Sequence, residues 1–236
     1  MDPYNPSLFS HLPPSPWFDL PTHSPFVLEG DSELIRRHNE VSKNQYEYNL
    51  ELHPEPFVGS LNAPIYLLAL NPGLHSEDFA FHSKPECLRV MRLAALQSPE
   101  IDSLYYFNQI FEGSPGAHWW KSKAAHIVKI YGEMIVARSL CCVQLYPYHS
   151  VKFSRVPGLT STVQYTADIV RDAIRSGKTI IVMRSWRRWT SLVPALSCYE
   201  KVARVRNPLN PSLSPANLGD YFCMVDRILR AAASAQ

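Results

Sequence analysis

The chain is short of charge. Aspartate, glutamate, lysine and arginine make up 19% of 236 residues and leave a formal net charge of +2, with a sequence isoelectric point near 8.2. A protein held to nucleic acid by overall charge usually lies above pI ~9, so any cationic surface here must be local. Cysteine is also sparse, with five residues and no Cys-x-x-Cys pair. That excludes an even disulfide framework and zinc-finger spacing, and fits a reducing cytoplasm. Adjacent Cys141 and Cys142 sit in an apolar run and read as small buried hydrophobes. Met1-Asp2-Pro3 opens no basic region followed by an apolar one, so neither a signal peptide nor an anchor is expected. No apolar run reaches the roughly 18 residues of a spanning helix. His75, His82, His118 and His126 lack ligand spacing, so no metal and no cofactor is expected.

At 46% hydrophobic the chain can bury a full core. Residues 1–58 read as an N-terminal arm and helix packing on the domain. They are rich in proline and in aromatics (Tyr4, Phe9, Trp17, Phe18, Phe26), which pure disorder usually lacks. Asp31 and Ser32 are placed to cap a helix through Leu34 and Ile35, and residues 50–58 read as extended. Residues 59–236 read as one α/β domain. Apolar runs at 65–70, 136–145, 179–183 and 201–205 predict four strands. Helices are predicted near 86–98, 118–134, 163–174 (ended by Gly177) and 186–196. A last helix, capped by Asp220, presents Tyr221, Val225, Ile228, Leu229 and Ala232. Alternation of this kind predicts a three-layer α/β/α sandwich with a central four-stranded parallel sheet. Ligands in such sheets bind outside the carboxyl ends of the strands.

Polar loops fall at those ends. The first strand stops at Asn71-Pro72-Gly73, where a Pro-Gly turn aims the Asn side chain off the strand and lets backbone approach a ligand. The second ends Gln144-Leu145-Tyr146-Pro147-Tyr148-His149-Ser150, a polar rim followed by Lys152 and Arg155. The third leads into Met183-Arg184-Ser185-Trp186-Arg187-Arg188-Trp189, mixing cations with aromatics. The fourth leads to Asn207-Pro208-Leu209-Asn210-Pro211-Ser212-Leu213-Ser214, a rigid turn carrying an amide, two hydroxyls and an exposed leucine. Each string alone is equally consistent with proline-punctuated loops and a solvated helix face.

Taken together and in this order, Asn71-Pro72-Gly73 and Asn210-Pro211-Ser212-Leu213-Ser214 resemble the two motifs of the uracil-DNA glycosylase superfamily, closest to its mismatch-specific and single-strand-selective branches. The resemblance covers residues 60–235, mostly as topology. It implies an enzyme that flips a base out of DNA and hydrolyses its glycosidic bond, acting as a monomer without cofactor. Asn71 would position the attacking water, and Asn210 would stabilise charge on the departing base. Ser212 or Ser214 would hold a phosphate and Leu213 would be the wedge. Phe79 or Phe81 would stack on the base. Gln144 takes the place of an Asn that reads the pyrimidine edge, one methylene farther out, with Tyr146 and His149 at the same rim. Arg187, Arg188 and Lys152 would meet phosphates. Neither motif carries a lysine, so no Schiff base is expected. The Asp and Tyr of the most active uracil enzymes are missing, and the cysteines lack the spacing of an iron–sulfur cluster.

The altered reader, the polar rim and the N-terminal arm also resemble a branch that removes glucosylated 5-hydroxymethylcytosine from phage DNA as antiviral defence. Uracil or mismatch repair, a non-catalytic DNA-binding module and a hydrolase or transferase of free nucleosides are the competing readings.

Overall fold

Every residue of the runs at 65–69, 140–144 and 179–182 is buried, as strands of a parallel sheet covered on both faces must be. The computed structural model describes residues 13–158 and 160–235; Tyr4 and Phe9 of the arm lie outside them. The fold is mixed α/β, and its mostly parallel sheet has order β1-β3-β2-β4-β5. Its strands are β1 (Phe57–Val58), β2 (Ile65–Ala69), β3 (Leu140–Gln144), β4 (Thr179–Val182) and β5 (Val202–Arg204). β3, β2, β4 and β5 run parallel, with Leu67 opposite both Cys142 and Ile181.

Side chains alternate between two cores. Tyr66, Leu68, Cys141, Val143, Ile180 and Val182 face a layer built from α1 (Glu29–Val41), α6 (Ser161–Arg175), α7 (Trp186–Leu192) and Trp17. Ile65, Leu67, Cys142, Ile181 and Ala203 face α3 (Pro85–Ala95), α4 (Pro115–Tyr131), α5 (Glu133–Ser139), the one-turn α8 (Pro215–Leu218) and α9 (Phe222–Ser234). The arm is thus part of the core from Trp17 onward. Local signals set the helix ends. Ser114 accepts a hydrogen bond from Ala117 N ahead of Pro115, and Thr160 accepts one from Val163 N. Past α6, Gly177 N donates to Ile174 O and Lys178 N to Ala173 O, with Gly177 at φ +68°, a Schellman end. Among the described residues no helix is long and apolar enough to cross a membrane.

Four expectations need correction. The sheet has a fifth strand, β1, antiparallel to β3 through Phe57↔Val143. It is two residues long and turns away at Gly59, where φ is +108° and a Cβ would meet Leu140 O at 2.6 Å. The apolar run 136–145 is not all strand, because its first four residues complete α5 and only 140–144 pair. Periodicity does not separate a buried helix from a buried strand over so short a run. Asp31 does not cap its own helix, since α1 starts at Glu29. Nor does Asp220 cap α9, which follows a 3-10 turn over Gly219–Tyr221; Tyr221 is half exposed.

Asp31 instead caps a different helix. It is fully buried. Its Oδ1 accepts from Ser161 Oγ at 2.8 Å and Thr162 N at 3.3 Å; its Oδ2 accepts from Thr162 Oγ1 at 2.5 Å and Tyr148 OH at 2.9 Å. A carboxylate at the N-terminus of α6 meets the positive end of that helix. Replacing Asp31 by Ala strands these donors, each in a buried setting. Asp31→Ala is expected to destabilise the fold by about 3 kcal/mol, read as a lowered urea midpoint at unchanged slope; Asp31→Asn, which keeps one acceptor, loses less.

Candidate active site at the carboxyl ends of the strands

The ends of β2, β3 and β4 open into a cavity of about 490 Å³, within the range of small-molecule sites. Backbone bonds zip its rim together. Tyr146 N donates to Leu70 O, Ser150 N to Pro72 O, Glu55 N to Pro147 O and Asn49 N to His149 O. The loop after β3 is thereby tied to the end of β2 and to the segment before β1.

Asn71, Gln144, His149 and Lys152, predicted from widely separated strings, all line this cavity. The Asn71 amide nitrogen donates to Pro72 O at 2.8 Å and Ser150 Oγ at 2.9 Å. With the nitrogen fixed, Oδ1 is left without a partner among the described residues and is able to accept from a ligand or water. Gln144 is 5% exposed, and its Oε1 is buried without a hydrogen-bond partner. An amide oxygen so placed costs ~1–3 kcal/mol unless a ligand or water pairs it. His149 is buried with Nδ1 2.7 Å from Gly73 O and Nε2 3.2 Å from His53 O.

Other predicted residues are elsewhere. Phe79 and Phe81 lie on α2 (Asp78–His82) outside the cavity wall; Phe79 is exposed and Phe81 packs under the Lys84 ammonium. The aromatic side chains in the wall are Tyr106, Trp119, Trp120 and Phe153. Tyr146 is buried and stacked on Tyr48, where it supports the rim from behind. Of the second motif only Pro211 reaches the cavity. Asn210 is exposed and accepts from Lys123 Nζ at 2.7 Å. Ser212 and Ser214 hydrogen-bond to each other at 3.2 Å. Leu213 is not an exposed wedge: it is fully buried among Met183, Leu218 and Val225, its N donating to Lys123 O. The exposed leucine of this loop is Leu209, at 90%.

The cations also regroup. Arg188 stacks over Phe153, and neither it nor Arg187 lines the cavity. Arg184 does, and it also borders a groove of about 410 Å³ with Trp186, Arg204 and Arg206. Among the described residues Arg184 makes no ion pair.

Sequence reasoning missed two acids. Glu55 and Asp78 both line the cavity and are nearly fully buried, and burial raises both carboxyls above the ordinary range. Tyr106 OH donates to Glu55 Oε1 at 2.5 Å. Burial also holds His53 down near 3 and His82 near 2. The one sequence signal for Glu55 is a carboxylate between two prolines, His53-Pro54-Glu55-Pro56, directly before a strand. His82 is buried beside Glu55 and His149, not at the surface. His75 by contrast is exposed and paired with Glu77.

The two leucines give a direct check of this loop. Leu213→Ala is expected to cost about 2–5 kcal/mol of unfolding free energy, whereas Leu209→Ala is expected within about 0.5 kcal/mol of the parent, both measured by denaturant titration. Comparison of the chain with protein-family models, with curated proteins and with solved structures returned no match to any of them.

Proposed function

We propose that this protein is a monofunctional DNA glycosylase with a uracil-DNA glycosylase-like fold, acting on a bulky modified cytosine such as glucosylated 5-hydroxymethylcytosine in phage DNA. The observation that carries the reading is the meeting of Asn71 and Gln144 at adjacent strand ends. Each has an amide oxygen without a hydrogen-bond partner among the described residues, and both line one cavity together with Lys152 and Arg184.

In this reading the flipped nucleotide enters between Trp119 and Phe153, whose rings recover part of the unstacking cost. Gln144 reads the base edge. Asn71 Oδ1 accepts a hydrogen bond from a water and aims its oxygen at C1′. The C1′–N bond breaks with its electron pair going to the base, the water oxygen bonds to C1′, and the proton the water loses ends, through solvent, on the departing base. No lysine of either motif is needed for this step. The cavity volume favours a base with a large substituent over bare uracil, and the acids Glu55 and Asp78 favour a ligand that brings donors, as an exocyclic amine or sugar hydroxyls do. Leu209 takes the role of the wedge, and Arg184, Arg204 and Arg206 meet phosphates. Uracil or mismatch repair and a non-catalytic module on the same fold are the readings the experiment must separate.

Purified protein is incubated with uracil-containing, mismatched, hydroxymethylcytosine-containing and glucosylated DNA, and alkali reveals abasic sites. Abasic sites confined to the glucosylated DNA, falling at least about 100-fold in Asn71→Ala, are the expected result. Cleavage at uracil returns the protein to repair, and no abasic site in any substrate overturns the enzyme reading. Borohydride is expected to trap no protein–DNA adduct. The groove makes a separate prediction: Arg184→Ala and Arg204→Ala each reduce the slope of log affinity against log salt by about one, with DNA binding measured by fluorescence anisotropy.

A further inference from the structure

We propose that Glu55, His82 and His149 form a binding site for one divalent first-row transition-metal ion in the wall of the cavity. The three come from the segment before β1, the end of α2 and the loop after β3. Their ligand atoms all lie within 4.8 Å of one another. Glu55 Oε1 is 3.7 Å from His82 Nε2 and 3.7 Å from His149 Nε2. That is too long for a hydrogen bond. Those two separations are near the ~3.3–3.5 Å edge of a tetrahedron of ligands at about 2.0–2.2 Å from a common ion, and binding would draw the set, which spans up to 4.8 Å, closer together.

The three side chains are 7% exposed or less, and the His82 and His149 rings pack edge to face at 4.9 Å. His149 Nδ1 donates to Gly73 O at 2.7 Å, which in a neutral ring leaves the Nε2 lone pair pointing inward. That lone pair then meets Glu55 Oε1 and, at 3.2 Å, the His53 carbonyl. Three electron-rich atoms converge, and a cation is what relieves them. The Gly73 carbonyl on His149 and the Tyr106 hydroxyl on Glu55 are partners of the kind that orient metal ligands from outside. His82 Nδ1 is buried without a partner among the described residues, so with Nε2 on an ion its N–H would take its acceptor from water. Two imidazoles and one carboxylate suit zinc and its first-row neighbours. Glu55 and His149 also line the cavity, so the open side of the ion faces it. The inference rests on this geometry alone and holds whatever the cavity receives.

The competing occupant is a proton, which would leave His149 as an imidazolium with both ring N–H groups on carbonyls. Full-length protein stripped with a chelator is titrated with Co²⁺ by equilibrium dialysis and visible absorption, then with Zn²⁺ while the ring nitrogens are followed in ¹⁵N-labelled protein. Expected are one ion per chain, absorption bands of a four- or five-coordinate Co²⁺ displaced by Zn²⁺, and ¹⁵N shifts at two histidine rings. His82→Ala and His149→Ala should each weaken Co²⁺ binding at least about 100-fold, while His75→Ala leaves it unchanged. Absence of saturable binding by folded wild-type protein overturns the proposal, as does a His149 ring that keeps both N–H protons in excess Zn²⁺. These readouts do not pass through base release, so failure of the glycosylase reading would leave them intact.

Discussion

Asp31 carries four donors on its two oxygens, and three elements that share no sequence neighbourhood depend on that arrangement. It belongs to α1, it neutralises the N-terminus of α6 through Ser161 and Thr162, and it receives the Tyr148 hydroxyl from the loop after β3. Tyr148 stands beside Pro147 and His149, the two residues whose carbonyls receive Glu55 N and Asn49 N. The Tyr148 hydroxyl also accepts from Leu28 N at 3.3 Å. A buried carboxylate is costly unless every lone pair is used. Here they are used on groups that a shift of the loop by one ångström would strand. The loop bearing His149, Ser150 and Lys152 is therefore held from the arm side, and the N-terminal segment is structural support for the cavity.

The cavity itself runs against that economy. Gln144 Oε1, His53 Nε2 and His82 Nδ1, three of the four buried side-chain polar atoms without a hydrogen-bond partner among the described residues, lie in or beside it; the fourth is Trp17 Nε1. Each orphan costs on the order of 1–3 kcal/mol, a large share of a domain's marginal stability. Their clustering around one hollow, beside two carboxyls that burial holds above their ordinary range, is the pattern of a site kept ready for a polar ligand. A hollow needed only by packing would be lined by apolar groups and stay dry.

How much of this was legible follows from distance along the chain. The parallel strands were readable because burial on both faces writes continuous apolar runs, and Asn71 and Gln144 because they stand where those runs stop. β1 was not, since two residues carry no period. α5 was not, since Ile135-Val136-Ala137 suits a buried helix and a buried strand equally. Glu55, His82 and His149 lie tens of residues apart; the pairing of β1 with β3 brings Glu55 and His149 together, and His82 joins them from α2. The error on Leu213 has a local cause. Its carbonyl-tied backbone at Lys123 turns the side chain into the core, and nothing in Asn-Pro-Ser-Leu-Ser announces that tie.

The same loop shows why the exposed leucine is Leu209, four positions before the expected Leu213. Asn217, itself buried, is its organiser. Its Oδ1 accepts from Asn207 N at 2.7 Å, and its Nδ2 donates to Asn210 O and Ser212 O at 3.0 Å each. Asn207 Oδ1 in turn accepts from Leu209 N and Asn210 N, an Asx turn that Pro208 and Pro211 stiffen on either side. Leu209 is thus an apolar side chain at 90% exposure on backbone with few conformations left to lose. A flexible loop carrying the same leucine would spend much of its contact energy on becoming ordered when it met a partner. This one is ordered beforehand, and Pro211, two residues on, forms part of the cavity wall. On the glycosylase reading proposed above, an apolar tip rigidly fixed beside a polar hollow would fill the gap in the base stack while the displaced nucleotide occupied the cavity.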